Sequence, residues 1–217
     1  MTPPDAIGLP ALEAELARQL MLTGYGGPDW TRMRDHGGQY VHDVVIVGGG
    51  QSGMAAAFGL LRERVSNILV IDDNPPGYEG PWATYARMMT LRTPKGLNPI
   101  DFGIPALTYR AWWEAQHGAE GWVAVDKIVR GDWMNYLRWY RRVLRLPVRN
   151  EMRLTLIEPV TRGLYRLHIA DRAPLLTRKI VLATGIQGGG EWHVPPMISD
   201  ALPADRYAHT SAPIDYA

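Results

Sequence analysis

Residues 43–73 read DVVIVGGGQSGMAAAFGLLRERVSNILVIDD, and the rest of the chain is organised around them. Val44-Val45-Ile46-Val47 is a short run of β-branched residues, which suits a buried parallel strand. Gly48-Gly49-Gly50-Gln51-Ser52-Gly53 follows at once and puts Gly48, Gly50 and Gly53 in the spacing G-x-G-x-x-G. A helix-compatible run from Met54 to Arg64 comes next. A second apolar strand, Ile68 to Ile71, then ends at Asp72.

Each part has a physical task. Gly48 permits the tight turn out of the strand. Gly50, without a Cβ, lets a pyrophosphate approach the backbone, and Gly53 lets the helix pack close to the strand. Gly49, Gln51 and Ser52 complete the turn. The backbone N–H groups there, at the positive end of the helix dipole, face the phosphates. Asp72 stands at the carboxyl end of the second strand, where an acid accepts hydrogen bonds from ribose hydroxyls; Asp73 beside it is the fallback. An acid there disfavours a 2′-phosphate, so the site should take FAD or NAD rather than NADP. The alternative is a glycine-rich turn that binds nothing. The strand before it, the helix after it and the acid argue against that.

Composition sets the bounds. The 217 residues suffice for one large domain or one and a half, and an apolar fraction of 46% suits a globular core. A net charge of +1 gives no global attraction to nucleic acid or anionic membrane. The absence of cysteine excludes disulfides, thiolate metal sites and a redox dithiol. The histidines, at 36, 42, 117, 168, 193 and 209, show no metal-ligand spacing, so no metal is expected. No apolar run reaches a membrane span. Asp5, Glu13 and Glu15 speak against a signal peptide, so a cytoplasmic protein is expected, with a homo-oligomer left open.

Outside the turn the pattern is coarser. A helix from about Pro10 to Leu22 carries Leu12, Leu16 and Leu20 on one side and should pack against the domain or a partner subunit. The run Asn74-Pro75-Pro76-Gly77-Tyr78-Glu79-Gly80-Pro81-Trp82 is a loop by composition. Arg92 and Lys95 leave two readings open, contact with a phosphate or flavin edge and solvated loop charge. Thr108 reads as a helix cap, and Trp112 and Trp113 as packing residues. Asp132 is expected to cap a helix from Trp133 to Leu144. Trp133, Tyr136, Leu137, Tyr140, Val143 and Leu144 share one face of it, with Arg138, Arg141, Arg142 and Arg145 opposite. That basic stripe is read as a solvated face rather than a nucleic-acid contact. From Val148 to Asp171 an antiparallel meander is expected, followed by a strand from Lys179 into Ala183-Thr184-Gly185.

Four features together resemble the FAD-binding half of flavin-dependent monooxygenases, the flavin-containing, Baeyer–Villiger and N-hydroxylating group. They are Val44 to Ala57; Gly80-Pro81-Trp82, similar to the family's Gly-x-Trp; Val181-Leu182-Ala183-Thr184-Gly185, similar to its hydrophobic-Ala-Thr-Gly strand; and His209-Thr210-Ser211 with a tyrosine after it, similar to the segment leading to the NADPH domain. The chain departs from the family fingerprint F-x-G-x-x-x-H, with Pro203 and Asp205 at its Phe and Gly positions and His209 kept. Pro94 stands where many members have asparagine, and no second G-x-G-x-x-G follows before Ala217.

The resemblance implies an α/β fold, a Rossmann-like parallel sheet with crossover helices and an added antiparallel meander. It implies a helical extension over residues 1–40 and an FAD-binding domain over 41–217. Within that domain 82–147 is a helical and loop insertion and 148–185 the meander and return strand. The chain then reads as the front half of a longer enzyme, without its NADPH domain and inactive by itself. The activity implied is NADPH- and O₂-dependent oxidation of a small organic substrate, with no nucleic-acid or membrane partner. Trp82, Arg92 and Thr93 would lie toward the isoalloxazine, and Thr184 and Gly185 would close over the cofactor. No acid–base residue is assigned. Another FAD- or NAD(P)-dependent oxidoreductase, or a non-catalytic dinucleotide-binding module, is the alternative.

Overall fold

The computed structural model describes residues 5–97, 100–186, 188, 193–210, 212 and 214. In chain order the elements are α1 (Leu9–Leu22), β1 (Arg34–His36), β2 (Gln39–Val47), α2 (Gln51–Arg62), β3 (Ile68–Ile71), a 3₁₀ turn (Pro105–Leu107), α3 (Tyr109–Ala124), α4 (Arg130–Val143), β4 (Val148–Arg149), β5 (Leu154–Thr161), β6 (Leu164–Ile169), β7 (Leu175–Leu182) and α5 (Pro196–Ser199). The strands form one sheet in the order β4-β3-β2-β7-β6-β5, with β1 paired to β2. The β4, β3, β2 and β7 neighbours run parallel, while β7, β6 and β5 form the antiparallel meander. This is the mixed α/β sheet the sequence implies.

The buried run of β2 and β3 serves both faces of the sheet by its period of two. Val44, Ile46, Ile68 and Val70 face a core built with α1, α2, α3 and α4. Val45, Val47, Leu69 and Ile71 face the other way, against Met152, Leu167 and Ile169. Helices therefore cover one face, and the curled meander covers the other. Leu12, Leu16 and Leu20 of α1 are buried in the helical core, so the first helix is part of it. Asp5 helps to fix the chain start: its Oδ2 accepts from the Ala119 N–H at 2.8 Å, where Gly118 (φ 71°) breaks the helical path of α3.

Several expectations are corrected. The first strand is longer than Val44–Val47, because Gly37 and Gly38, at φ 58° and 78°, turn β1 back onto Gln39 and its neighbours. That pair of positive angles fits a two-residue hairpin. Val148 does not start the meander; Val148–Arg149 pairs parallel with Val70–Ile71. The fourth helix starts at Arg130, with Val129 at its N-cap position and no side-chain cap, so Asp132 lies in the first turn instead. There its charge still complements the dipole. Thr108 does cap α3, its Oγ1 accepting from the Ala111 N–H at 3.0 Å. Trp112 is buried among Tyr109, Trp113 and Tyr136, a packing role.

Candidate dinucleotide site

Val47, Ile71 and Leu182 are register partners, so β2, β3 and β7 end together. The chain leaves β2 through Gly48, whose φ of 105° excludes most side chains. The Gly48 N–H donates to Ile71 O at 2.7 Å, and the Ala183 N–H donates to Val47 O at 2.8 Å. The turn is thus clamped between the ends of both neighbouring strands. A Cβ on Gly48 would lie 2.3 Å from Ala183 O.

Gly50 is the extended N-cap of α2 and offers no side-chain cap. The first bond of the helix runs from the Met54 N–H to Gly50 O, at 3.0 Å. Among the described residues, the N–H groups of Gln51, Ser52 and Gly53 find no acceptor. Such free donors at a helix start form an anion site. Gly80, at φ 76°, folds back over this point. A Cβ on Gly50 would be 3.4 Å from Gly80 Cα, an ordinary contact. Gly53 differs, because its Cβ would fall 1.8 Å from Gly48 O. Gly53 therefore lets the helix close onto the turn itself as well as onto the strand, where Ile46 Cγ2 is 3.4 Å away.

Asp72 is buried at the end of β3. Its Oδ2 accepts from the Gly49 N–H at 2.7 Å, and its Oδ1 accepts from Asn74 N at 2.8 Å and Asn74 Nδ2 at 3.0 Å. A carboxylate offers about four acceptor positions. These three bonds leave one of them, on Oδ2 beside the turn, enough for a ribose hydroxyl. Asp73 points away: its side chain is exposed, with Arg153 Nε at 3.9 Å.

The loop after Asp72 is held by Glu79, a residue that sequence reading passed over. Glu79 is 3% exposed. It accepts from the Gly77 N–H at 3.0 Å and from Asn150 Nδ2 at 2.6 Å, and it pairs with the Arg141 guanidinium. Arg138 donates to Gly77 O and Arg142 to Glu13, so three members of the basic stripe bind loop or helix. Arg138 and Arg142 stay exposed, as a solvated face requires, and the expectation is corrected only for Arg141, which is partly buried against Glu79. An open groove of about 470 Å³ runs between these arginines, Met54 of α2 and Gly77. Because the Glu79 carboxylate is buried, removing its cation should be costly. Arg141→Ala should lower stability by about 3 kcal/mol, read from the urea midpoint. Glu79→Gln with Arg141→Met should recover much of that loss.

The remaining expected residues fall in different places. Thr184 and Gly185 follow β7, and Thr184 N would lie 3.3 Å from a Cβ on Gly48, so this segment borders the turn. Trp82 follows Gly80 but turns into the helical core, its ring 6.5 Å from Trp133 and nearly perpendicular to it. Arg92 and Thr93 are exposed, and no hydrogen bond among the described residues joins them to the turn. The Lys95 ammonium donates to Trp122 O at 2.9 Å and also reaches Val125 O, closing the end of α3, so it is not a free loop charge. In the fourth motif, Arg87 donates to the carbonyl of Thr210 at 3.3 Å, while Ser211 and the tyrosine after it lie outside the described residues.

Comparison with known proteins extends this geometry. The FAD-dependent urate hydroxylase of Xanthomonas campestris pv. campestris is 64% identical over 212 residues, 97% of this chain and 45% of that protein. The chain thus spans less than half the length of this curated relative. A flavin-containing monooxygenase from Stenotrophomonas maltophilia is 26% identical, with a TM-score of 0.54 over 70% of this chain and 40% of its own. An ornithine hydroxylase from Pseudomonas aeruginosa, 21% identical, shares the fold with a TM-score of 0.57 over 71% of this chain and 40% of its own. A family model described as FAD-NAD(P)-binding matches residues 45–187. That span opens inside the strand delivering the glycine turn and closes just beyond Gly185, so it contains Asp72, Gly80 and Thr184 as well, and the chain belongs to this FAD-NAD(P)-binding family.

Proposed function

We propose that the chain is the FAD-binding part of an NADPH- and O₂-dependent flavin monooxygenase that hydroxylates urate. The observation that carries the reading is the 64% identity to a FAD-dependent urate hydroxylase through the whole glycine turn and its surroundings. The site fits the cofactor. Gln51, Ser52 and Gly53 offer free N–H groups to a pyrophosphate, the bare Cα of Gly50 and Gly80 leave it room, and Asp72 keeps one acceptor position for ribose. Bound there, FAD supplies the electron transfer and oxygen activation. The chain's own part is to bind and orient. Glu79 and Arg141 hold the loop that carries Gly80 over the turn, and Thr184 and Gly185 border it from β7. Trp82 and the helical core behind it keep water from one side. Arg92 and Thr93, exposed here, are assigned to the flavin side on resemblance alone.

A chimera tests the reading: residues 1–212 of this chain replace the matching part of the Xanthomonas campestris enzyme. It should purify with FAD and oxidise NADPH in response to urate. A flavin-loaded chimera that ignores urate, while the parent responds, would overturn the substrate assignment and favour another flavin oxidoreductase.

A further inference from the structure

Two amide side chains gather at the ribose end of the site. Asn74 and Asn150 are both half-buried, and neither belongs to the glycine turn. Asn74 donates twice to Asp72 Oδ1, from its backbone N–H at 2.8 Å and from its side-chain Nδ2 at 3.0 Å. The first bond is an ordinary local turn, in which an aspartate accepts from the backbone two residues on. The second is not needed for that turn. It places another donor on an oxygen that already has one.

The consequence falls on the other oxygen. Each oxygen of a carboxylate offers about two acceptor positions. Asn74 takes both on Oδ1, while Oδ2 holds the Gly49 N–H at 2.7 Å. The open position of a carboxylate that is 7% exposed therefore lies on the oxygen beside the glycine turn. Without the Asn74 amide, a rival position would open on Oδ1. The carboxylate would also rotate more freely, because a torsion ending in a planar group is soft.

Asn74 is held in its turn. Its carbonyl accepts from Asn150 Nδ2 at 3.0 Å and from the Glu151 N–H at 3.3 Å. The same Asn150 nitrogen donates to Glu79 Oε1 at 2.6 Å, so both of its hydrogens are used. Its two partners are pure acceptors, which fixes the orientation of this amide, and Asp72 does the same for Asn74. Asn150 directly follows β4, so it joins that strand end to the stretch after Asp72 and to the loop that carries Gly80.

We infer that Asn74 is a positioning residue for the adenosine ribose: by filling Oδ1 of Asp72 it directs the open acceptor of Oδ2 to a ribose hydroxyl, and Asn150 keeps it in place. The inference deepens the proposed reading and rests on it for the presence of a ribose at Asp72.

Calorimetric titration of the flavin-free chain with FAD, ADP and 2′,3′-dideoxy-ADP tests it. ADP is the part of FAD that carries this ribose, and the dideoxy form lacks both hydroxyls. The ratio of the two nucleotide affinities therefore reads the hydroxyl contact and cancels general changes in the site. The parent should bind ADP about tenfold more tightly than the dideoxy form, and Asp72→Ala should bring the ratio to about one. Asn74→Ala should lower it to about threefold by weakening ADP, with dideoxy-ADP unchanged. Asn150→Ala should shift the ratio in the same direction, and it serves if Asn74→Ala fails to fold. A residue that only closes the local turn would weaken both nucleotides by one factor and leave the ratio at the parent's value. That result in Asn74→Ala, or in Asn150→Ala where the first does not fold, would overturn the inference. So would a parent that binds FAD and does not distinguish the two nucleotides. In both cases the dinucleotide site stands. A parent that binds none of the three ligands sinks the site, and the inference with it.

Discussion

Gly53→Ala should leave the chain without a stable fold, although alanine is the better helix former. Helix propensity alone favours the substitution by about 1 kcal/mol. The geometry opposes it far more strongly. The new Cβ would stand 1.8 Å from Gly48 O and 2.9 Å from Gly48 C, both backbone atoms. No rotamer relieves that contact. The Gly48 carbonyl cannot withdraw either, because its own N–H is tied to Ile71 O at 2.7 Å and its other side meets Ala183. Relief needs α2 to lift from the sheet, which uncovers Ala57 and Phe58, both 0% exposed. The cost should exceed about 4 kcal/mol, a large part of the roughly 5–15 kcal/mol that holds a domain. Gly59 provides a control in the same helix: its Cβ would meet the Phe102 ring at 3.5 Å, an ordinary contact. Gly59→Ala should therefore raise the urea midpoint slightly, where Gly53→Ala gives insoluble or unfolded protein by circular dichroism. Soluble Gly53→Ala protein within about 1 kcal/mol of the parent would refute the packing described.

Gly50→Ala should have the opposite profile, with the fold kept and FAD binding lost. Gly50 has φ −69° and ψ −173°, angles open to any residue, and its Cβ would sit 3.4 Å from Gly80 Cα. Stability should change by less than about 1 kcal/mol. The methyl group would instead occupy the space between the turn and Gly80. A pyrophosphate held away from the Gln51 and Ser52 N–H groups loses charge-assisted hydrogen bonds, each worth about 1.5–3 kcal/mol. Losing one or two of them weakens FAD by about 100-fold. Flavin fluorescence titration of both proteins at matched folding measures this. Unchanged affinity would mean that the phosphates lie elsewhere.

These glycines show what the sequence makes legible. The order strand, glycine turn, helix, strand, acid is written in contiguous residues, so the roles of Gly48, Gly50, Gly53 and Asp72 follow from their spacing. The apolar stripe of α1 and the Thr108 cap are equally local. What the sequence hides depends on residues distant in the chain. Glu79 and Arg141 are 62 positions apart, and only the packing of α4 over the loop makes them partners. Val148–Arg149 is too short to show a period, and it becomes a parallel strand because α4 delivers it beside β3. Lys95 closes the end of α3, a role visible only once the carbonyls of Trp122 and Val125 are in position. The hairpin of β1 was within reach, since Gly37-Gly38 is a turn signal, but the polar residues around it hide the strand.

The central claim is that the turn at Gly48–Gly53, with Asp72, holds FAD. Its most direct test is the visible spectrum of the purified chain, mixed with FAD and passed through gel filtration, with Asp72→Ala beside it. The account predicts a flavin band eluting with the parent protein, strongly reduced in Asp72→Ala and not displaced by excess NAD. A folded parent that elutes without flavin, or a band that Asp72→Ala leaves intact, would contradict it.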